Sequence, residues 1–390
     1  MTKTRIFPAL AASALSMGLA LASGAAFAQS GDPIRIGVPV GLSGANSVVA
    51  PSVVQAAELA VEQINAKGGV LGRPLELVVA DDASGAAGAQ KAFDSLIFKE
   101  EVDVLISMET SAARNAGLPA VQRGRVPYIY TSFYEGRSCS PYLFVNAWVP
   151  EQQVPPVVDY LMAEGATKYY LIGSDYAFGR GMLEFAAKYI AETGGEVVGD
   201  DYLPMDGTDW TAIISNLKSS GAEALITSTA GGAPNVTLTK QLRGAGVSLP
   251  YANLAVDEGT AAAMGADAEG ILISASYVTG IESEANAAFL DAMKAKFGEE
   301  LRTPNDLSVP QYEAVFAYAA AVEKAGDTDT RAVLAALPEV TVTGPRGDIT
   351  MSRQNHAPLT MYLGQVQADG SVKVVSSFEN VDPGEQCPNL

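Results

Sequence analysis

The sequence predicts an α/β protein made of two lobes, each with a parallel β-sheet covered by helices. Short runs of β-branched and aliphatic residues alternate with stretches of helical spacing from Pro33 onward, a pattern that is typical of parallel sheets. The alternation restarts after the proline-rich segment at 149–156. A chain of 390 residues is also longer than a single hydrophobic core usually supports, so two lobes are expected.

The beginning of the chain has the layout of a secretory signal peptide. Lys3 and Arg5 precede a short apolar stretch that ends in Ala26-Phe27-Ala28. This layout predicts export with cleavage after Ala28. A membrane anchor is the alternative, but the apolar stretch is short and no second hydrophobic span follows it in the sequence.

The first module begins with the strand IRIGVPV at 34–40 and a helix from about Val53 that has apolar residues at helical spacing. Helices are predicted at 86–100 and 112–123, between the strands LELVVADD, DVLISM and YIYTS. The second module repeats this rhythm with helices at 157–163, 179–193, 209–219 and 233–243 and the strands KYYLIGSD, EVVGDDYL, EALITST, PYANLAV and EGILISASY.

The remaining chain has a different pattern. Past Tyr277 the sequence predicts helices only, at 285–297, 309–324 and 330–337. These helices have no strands of their own to cover, so we expect them to pack back onto one of the two sheets. The last part, MYLGQVQADGSVKVVSSF, predicts a β-hairpin about an Asp369-Gly370 turn.

Composition argues against several classes of function. The formal net charge of −19 repels phosphate groups and anionic lipid, so no nucleic acid or membrane surface is expected as a partner. His356 is the single histidine and no CxxC occurs, so a zinc site of the usual kind would lack ligands. The sequence has no GxSxG and no GK[ST] motif. A binding role is therefore favoured over catalysis, and no cofactor is expected.

The chain has two cysteines, Cys139 and Cys387. Cys139 lies in the stretch YIYTSFYEGRSCSPYLF, where hydroxyl and aromatic side chains crowd a turn, so a reactive nucleophile and a metal ligand are two alternatives for it. In an exported protein an even pair of cysteines first suggests a disulfide. We therefore predict a Cys139–Cys387 bond that pins the C-terminal tail beside the junction of the lobes.

Four stretches resemble the periplasmic solute-binding proteins of ABC transporters, in the branched-chain amino acid and amide/urea group. They are IRIGVPVGLSG with the following AAELAVEQINAKGGVLGRPLELVVADDAS, VDVLISMETSAARNAGLPAVQRGRVPYIYTS, YEGRSCSP, and LIGSDYAFGRG. The resemblance, which covers nearly the whole mature chain, implies a type I periplasmic binding protein. This is a Venus-flytrap fold of two Rossmann-like lobes joined by a three-segment hinge. Lobe one would comprise 31–144 and 279–345, and lobe two 145–278 and 346–390.

The same resemblance implies a function. The protein would be the extracytoplasmic component of an ABC importer, located in the periplasm and working as a monomer. It would capture a small polar solute by hinge closure and deliver it to permease subunits in the membrane. The solute classes are a branched-chain or other amino acid, a short amide, or urea. The alternatives are a ligand sensor that docks on a receptor or sensor kinase, and an exported hydrolase.

The resemblance also implies ligand-binding residues in lobe one. The hydroxyls of Ser111 and Ser132 would hold a carboxylate or amide oxygen of the ligand, with Tyr130 as a wall. Ser111 has a second interpretation as a helix cap. Phe133 stands where the amide sensors have a proline, which alters the expected pocket size. Ordinary core packing is the alternative for the two aromatic residues, Tyr130 and Phe133.

Lobe two would contribute Tyr176, which matches a family position that closes over the ligand. The neighbouring Asp175 is better explained by turn structure. Asp257 and Glu258 lie near the place where amino acid binders have an acidic residue for the ammonium group, although either could be a solvated loop charge. The segment 231–235 could approach the ligand through its backbone or simply begin a helix.

Overall fold

The computed structural model describes residues 1, 2, 31–83, 85–352 and 354–390. The predicted signal peptide, residues 1–28, lies outside the described residues except for its first two. No helix in the described part of the chain is long and apolar enough to cross a membrane.

The described residues form fourteen strands. They are β1 (Ile34–Val40), β2 (Leu75–Asp81), β3 (Val104–Ser107), β4 (Tyr128–Tyr130), β5 (Leu143–Val145), β6 (Lys168–Ser174), β7 (Glu196–Leu203), β8 (Ala224–Ser228), β9 (Tyr251–Asn253), β10 (Leu272–Ala275), β11 (Thr341–Gly344), β12 (Gly347–Thr350), β13 (Leu359–Val366) and β14 (Val372–Val381).

Eleven α-helices lie between them in the same described ranges. They are α1 (Ala50–Ala66), α2 (Ala86–Phe98), α3 (Ser111–Gly124), α4 (Pro150–Ala163), α5 (Ala177–Glu192), α6 (Thr211–Ser219), α7 (Gly232–Gly244), α8 (Glu258–Met264), α9 (Glu284–Phe297), α10 (Ser308–Ala325) and α11 (Thr330–Ala336).

The first sheet contains five parallel strands in the order β2-β1-β3-β4-β5. Because the chain order reverses beside β1, the loops that follow β1 and β3 separate there, and such a switch point is where open α/β sheets bind ligands. Val38, Val53 and Tyr318 belong to one buried cluster that joins β1, α1 and α10. The late helix α10 therefore packs on the first sheet, and α9 and α11 pack against α1 and α10.

The second sheet has seven strands in the order β14-β13-β10-β9-β8-β6-β7. Strands β6 to β10 are parallel, whereas β13 runs antiparallel to β10 and pairs with β14 as the predicted hairpin. The second sheet is therefore mixed, with a parallel centre and an antiparallel hairpin at one edge. Antiparallel strands can be joined by a short turn, whereas parallel strands need a crossover connection. We call the first sheet with α1–α3 and α9–α11 lobe one, and the second sheet with α4–α8 lobe two. The predicted boundaries at 144, 278 and 345 stay a prediction.

Several elements differ from the expectation, among them β5 and α8, which were not predicted. The helix predicted at 157–163 begins at Pro150, so it includes most of the proline-rich segment. Proline is well tolerated at the first helical position because its missing N–H needs no partner there, and the Gln152 side chain accepts a hydrogen bond of 3.1 Å from the Val149 N–H. Strands β11 and β12 form a small hairpin that was not predicted, because four-residue strands carry too little alternation to be recognised.

The chain crosses between the lobes in three segments, which Arg346 ties together. Its guanidinium donates to Glu313 at 2.7 Å, to the Ser276 hydroxyl at 3.0 Å and to the Asn146 carbonyl at 3.0 Å. Asn146 follows β5, Ser276 follows β10, and Arg346 lies between β11 and β12. We call Asn146, Ser276, Glu313 and Arg346 the hinge cluster, and all four side chains are buried.

The predicted disulfide is present between Cys139 and Cys387, whose Cα atoms lie 5.6 Å apart. It holds the C-terminal tail against the loop between β4 and β5. The Gln386 side chain there accepts a hydrogen bond from the Arg137 N–H at 3.0 Å. His356 is buried beside this loop and pairs with the Tyr134 hydroxyl at 2.7 Å. Among the described residues, no cluster of acidic, cysteine and histidine side chains is suited to hold a metal ion.

Candidate functional site

A cavity lies between the two lobes, at the carboxyl ends of strands from both sheets. Its empty volume, part of which opens to solvent, is about 400 Å³. Loops that follow β1, β3 and β4 form its lobe-one side, and loops that follow β6, β8 and β9 form its lobe-two side. The lining residues are Asn46, Val49, Met108, Glu109, Thr110, Ser111, Ser132, Phe133, Tyr176, Phe178, Thr229, Gly231, Gly232, Ala255, Asp257 and Leu307.

The loop from β3 to α3 brings Ser111 to the cavity. Thr110, and not Ser111, caps α3, because its hydroxyl oxygen accepts a hydrogen bond from the Ala113 N–H at 3.1 Å. The Ser111 hydroxyl instead donates to the Glu135 carboxylate at 2.5 Å. Glu135 is held in turn by Arg114 at 2.7 Å. Ser111 is therefore a cavity residue whose orientation is set by an ion pair behind it.

The loop after β4 places Ser132 and Phe133 on the cavity wall, whereas Tyr130 lies behind the wall. The Tyr130 hydroxyl donates to the Glu109 carbonyl at 2.6 Å, and its side chain is fully buried. Burial raises the pKa of Tyr130 to about 12. Tyr130 therefore supports the β3–α3 loop instead of lining the cavity.

Phe133 belongs to an aromatic wall that crosses from one lobe to the other. Its ring stacks on Trp148 with 4.3 Å between the ring centroids, and it lies 5.7 Å from the ring of Phe178 in lobe two. Tyr176 lies 6.1 Å from Phe178 and immediately precedes α5. Phe133, Phe178 and Tyr176 thus give the cavity an apolar side. Asp175 points away from it and pairs with Arg180 at 2.5 Å.

The two acidic residues predicted in lobe two have different positions. Asp257 lines the cavity and caps α8, with its two carboxylate oxygens 3.0 Å from the N–H of Thr260 and 3.1 Å from its hydroxyl. Glu258 lies outside the cavity lining, and its carboxylate accepts from the Thr279 N–H at 2.6 Å and hydroxyl at 2.8 Å. Neither is a solvated surface charge. Burial raises the pKa of Asp257 and raises that of Glu258 to about 7.

Glu109 is a cavity residue that the sequence analysis did not single out. Its side chain is 1% exposed, and neither carboxylate oxygen has a hydrogen-bond partner among the described residues. Burial, reinforced by the neighbouring Asp82 and Asp81, raises the pKa of Glu109 well above its ordinary value. The available signal was its position, because a carboxyl side chain two residues after the end of β3 lies at the ligand-binding edge of the sheet.

The lobes meet at glycines around the cavity. A Cβ atom on Gly232, the first residue of α7, would lie 2.7 Å from the Cβ of Val48 in lobe one. One on Gly181 in α5 would lie 2.6 Å from the Cβ of Glu135. Real Cβ atoms do not approach so closely, so the two lobes can come this near to each other only because both positions are glycine. The structure therefore shows the two lobes closed on the cavity.

The chain is similar to curated transport proteins over most of its length. It is 24% identical over 322 residues to Leu/Ile/Val-binding protein homolog 6 of Brucella melitensis, covering 78% of this chain and 80% of that protein. It is 26% identical over 351 residues to the leucine-, isoleucine-, valine-, threonine-, and alanine-binding protein of Pseudomonas aeruginosa, covering 86% and 90%.

Solved structures share the fold. An ABC transporter solute-binding protein of R. palustris in complex with 4-hydroxybenzoate has a TM-score of 0.83 at 24% identity, covering 90% of this chain and 99% of that one. The isoleucine-bound branched-chain amino acid transporter substrate-binding protein of Streptococcus pneumoniae has a TM-score of 0.78 at 24% identity, covering 89% and 99%. The family model for periplasmic binding proteins matches residues 33–371. The chain therefore belongs to the periplasmic binding proteins, a family of non-enzymatic, extracytoplasmic transport components.

Proposed function

We propose that this protein captures a small polar solute in the cavity between its lobes and delivers it to the permease of an ABC importer. The candidate solutes are branched-chain and other amino acids, short amides and urea. One observation carries the proposal: the cavity is lined by polar groups and aromatic rings from both lobes at once. A ligand that contacts both lobes stabilises the closed arrangement over an open one, and this difference is what drives hinge closure.

Three helix N-termini also face the cavity. Thr110, Tyr176 and Gly231 immediately precede α3, α5 and α7, and all three line the cavity. Free backbone N–H groups and the helix dipole make such ends favourable for negatively charged or strongly accepting oxygens. A carboxylate or amide oxygen of the ligand near Ser111 and Ser132 would accept hydrogen bonds from these backbone N–H groups. The relatives named for leucine, isoleucine and valine support a solute that carries a carboxylate.

Calorimetry on protein stripped of ligand tests the site. After a thermal-shift screen of amino acids, short amides and urea has identified a ligand, the double variant Ser111→Ala/Ser132→Ala is compared with wild type. On ligand binding the hydroxyl of Ser111 would turn from Glu135, and that of Ser132 from the Phe133 carbonyl, to donate to the ligand oxygen. Each hydrogen bond lost to that oxygen costs about 1 to 3 kcal/mol, so the affinity should fall at least tenfold. Ser219→Ala, on the exposed side of α6, is the control. Wild-type affinity in the double variant would contradict the assignment of these hydroxyls.

Delivery to a permease is tested in cells. Deletion of the gene should abolish high-affinity uptake of the identified solute, and the wild-type gene should restore uptake while the double variant does not. Uptake that is unchanged after deletion would argue for a sensing role. N-terminal sequencing of the mature protein tests cleavage after Ala28, and light scattering tests the proposed monomer.

A further inference from the structure

The carboxyl group of Glu109 stands out among the acidic groups at the cavity. Glu109 lines the cavity, and its two carboxylate oxygens are buried without a hydrogen-bond partner in the part of the chain that the structure describes. A buried polar group without a partner destabilises the folded protein, and a charged group does so more strongly. Such a group calls for a specific explanation, and a functional role at a binding cavity is one.

Asp257 and Glu258 do not share this property. Thr260 occupies both carboxylate oxygens of Asp257, and Thr279 occupies both of Glu258. These interactions cap α8 and hold the segment that follows β10, so both carboxyl groups already serve the fold of lobe two. Among the acidic residues that line the cavity, Glu109 in lobe one is the one whose carboxylate oxygens both lack a partner in the described part of the chain.

We propose that Glu109 is the acceptor for a cationic nitrogen of the bound solute, so that the cavity selects amino acids over carboxylic acids and neutral amides of the same shape. This inference rests on the proposed function and narrows its solute class. No arginine or lysine lines the cavity among the described residues, so Glu109 has no protein cation to neutralise it there. The carboxylate of the same amino acid would bind at the helix N-termini, while its ammonium group binds Glu109.

The surroundings of Glu109 favour a cation in its vicinity. Asp82 and Asp81, at the end of β2, face it and reinforce the negative potential, while Tyr128 and Tyr130 lie on its β4 side. Opposite charges attract more strongly in a buried site than in water. A solute ammonium group would therefore gain from several carboxyl groups while donating its hydrogen bonds to Glu109.

The test compares each amino acid with a carboxylate that lacks only the ammonium group and with an amide that also lacks the carboxylate charge. L-Leucine is compared with 4-methylpentanoate and 4-methylpentanamide, and L-phenylalanine with 3-phenylpropanoate and 3-phenylpropanamide, by calorimetry on stripped wild-type protein. We expect at least one amino acid to bind and its two analogues to bind at least tenfold more weakly, since a hydrogen bond to a charged group is worth about 1.5 to 3 kcal/mol. An analogue that binds as tightly as its amino acid overturns the inference but leaves the proposed function standing.

The variant Glu109→Gln keeps the size of the side chain and removes its charge. It should weaken amino acid binding roughly 10- to 100-fold and narrow the gap between the amino acid and its analogues. Glu284→Gln, at the exposed start of α9, controls for the loss of one negative charge and should bind like wild type. Unchanged selectivity in a folded Glu109→Gln protein overturns the inference, and if that variant does not fold, the wild-type comparison decides. If these compounds, the remaining common amino acids, urea and short amides all fail to bind, the proposed function itself is overturned.

Discussion

Closure of the lobes should depend on the absence of a side chain at Gly232. The substitution Gly232→Ala places a Cβ atom 2.7 Å from the Cβ of Val48, although nonpolar carbon atoms pack best at about 3.5 to 4.0 Å. Because the obstructing atom is attached directly to the backbone of the 3-10 helix Ala45–Val48, rotation of the valine side chain cannot relieve the contact. The lobes must separate by up to about 1 Å at this point, or the local backbone must shift.

The expected size of the effect follows from the cost of overpacking. Inserting a methyl group into a well-packed contact costs about 1 to 3 kcal/mol, and this cost applies to the closed arrangement alone, because an open arrangement removes the contact. Ligand affinity should therefore fall about 5- to 150-fold, while the unfolding free energy without ligand changes little. Calorimetry measures the first quantity and urea unfolding the second.

Helix α7 offers a matched control for this experiment. Gly244, the last residue of α7, has no heavy atom within 4 Å of the position that a Cβ would take. Gly244→Ala therefore makes the same chemical change on the same helix without obstructing closure, and it should bind ligand like wild type. Small-angle scattering should show that ligand compacts the wild-type protein and Gly244→Ala more fully than Gly232→Ala. Wild-type affinity in Gly232→Ala would refute the view that this contact limits closure.

Three further predictions follow from groups described above. Cys139→Ser/Cys387→Ser should lower the unfolding free energy measured in urea by up to about 5 kcal/mol, an upper value for a loop closed over a sequence separation of 248 residues; an unchanged urea midpoint would contradict it. Burial lowers the pKa of His356 to about 4, below its unfolded value of about 6.5. The unfolded chain binds the extra proton, so about 3 kcal/mol of stability present above pH 6.5 should be lost as the pH falls towards 4. His356→Gln should flatten that part of the urea-derived pH profile, and an unaltered slope would count against this cause. If Glu109 accepts an ammonium group, the affinity for an amino acid should rise as the pH is raised above the ordinary pKa of a glutamate side chain, because burial raises the pKa of Glu109 and its carboxyl group must lose a proton to pair with the ligand; calorimetry that gives a flat profile would contradict it.

Most of the fold could be predicted because its signals are local. The strand IRIGVPV, the helix that follows it and the late helices at 285–297 and 309–324 each carry a hydrophobic period over one continuous stretch, and the structure has these elements. The disulfide also needed only the number of cysteines. The resemblance implies that the terminal hairpin belongs to lobe two. Its antiparallel pairing with β10, which makes the second sheet mixed, was not anticipated, because strand pairing depends on contacts between distant segments.

The candidate site was predicted in position more reliably than in detail. Ser111, Ser132, Phe133, Tyr176 and Asp257 line one cavity, as expected for loops at the carboxyl ends of neighbouring strands. The directions of individual side chains depend on partners that are remote in sequence. Glu258 turns to Thr279, which lies 21 positions away, and such a contact leaves no local pattern. Their ligand roles stay predictions until the variants are measured.

The hinge cluster has a consequence for how the lobes move. Arg346 lies on one crossing segment and bonds to the other two through its guanidinium group. Separating it from Glu313 would leave a buried charge alone, at a cost of about 3 to 5 kcal/mol. A rotation whose axis passes close to this guanidinium preserves these bonds, whereas a sliding motion breaks them. Because displacement along an arc grows with distance from its axis, the rim where Gly232 meets Val48 travels farther than the chain near Arg346. A small angular change at the pivot is thereby converted into a wide entrance for the solute.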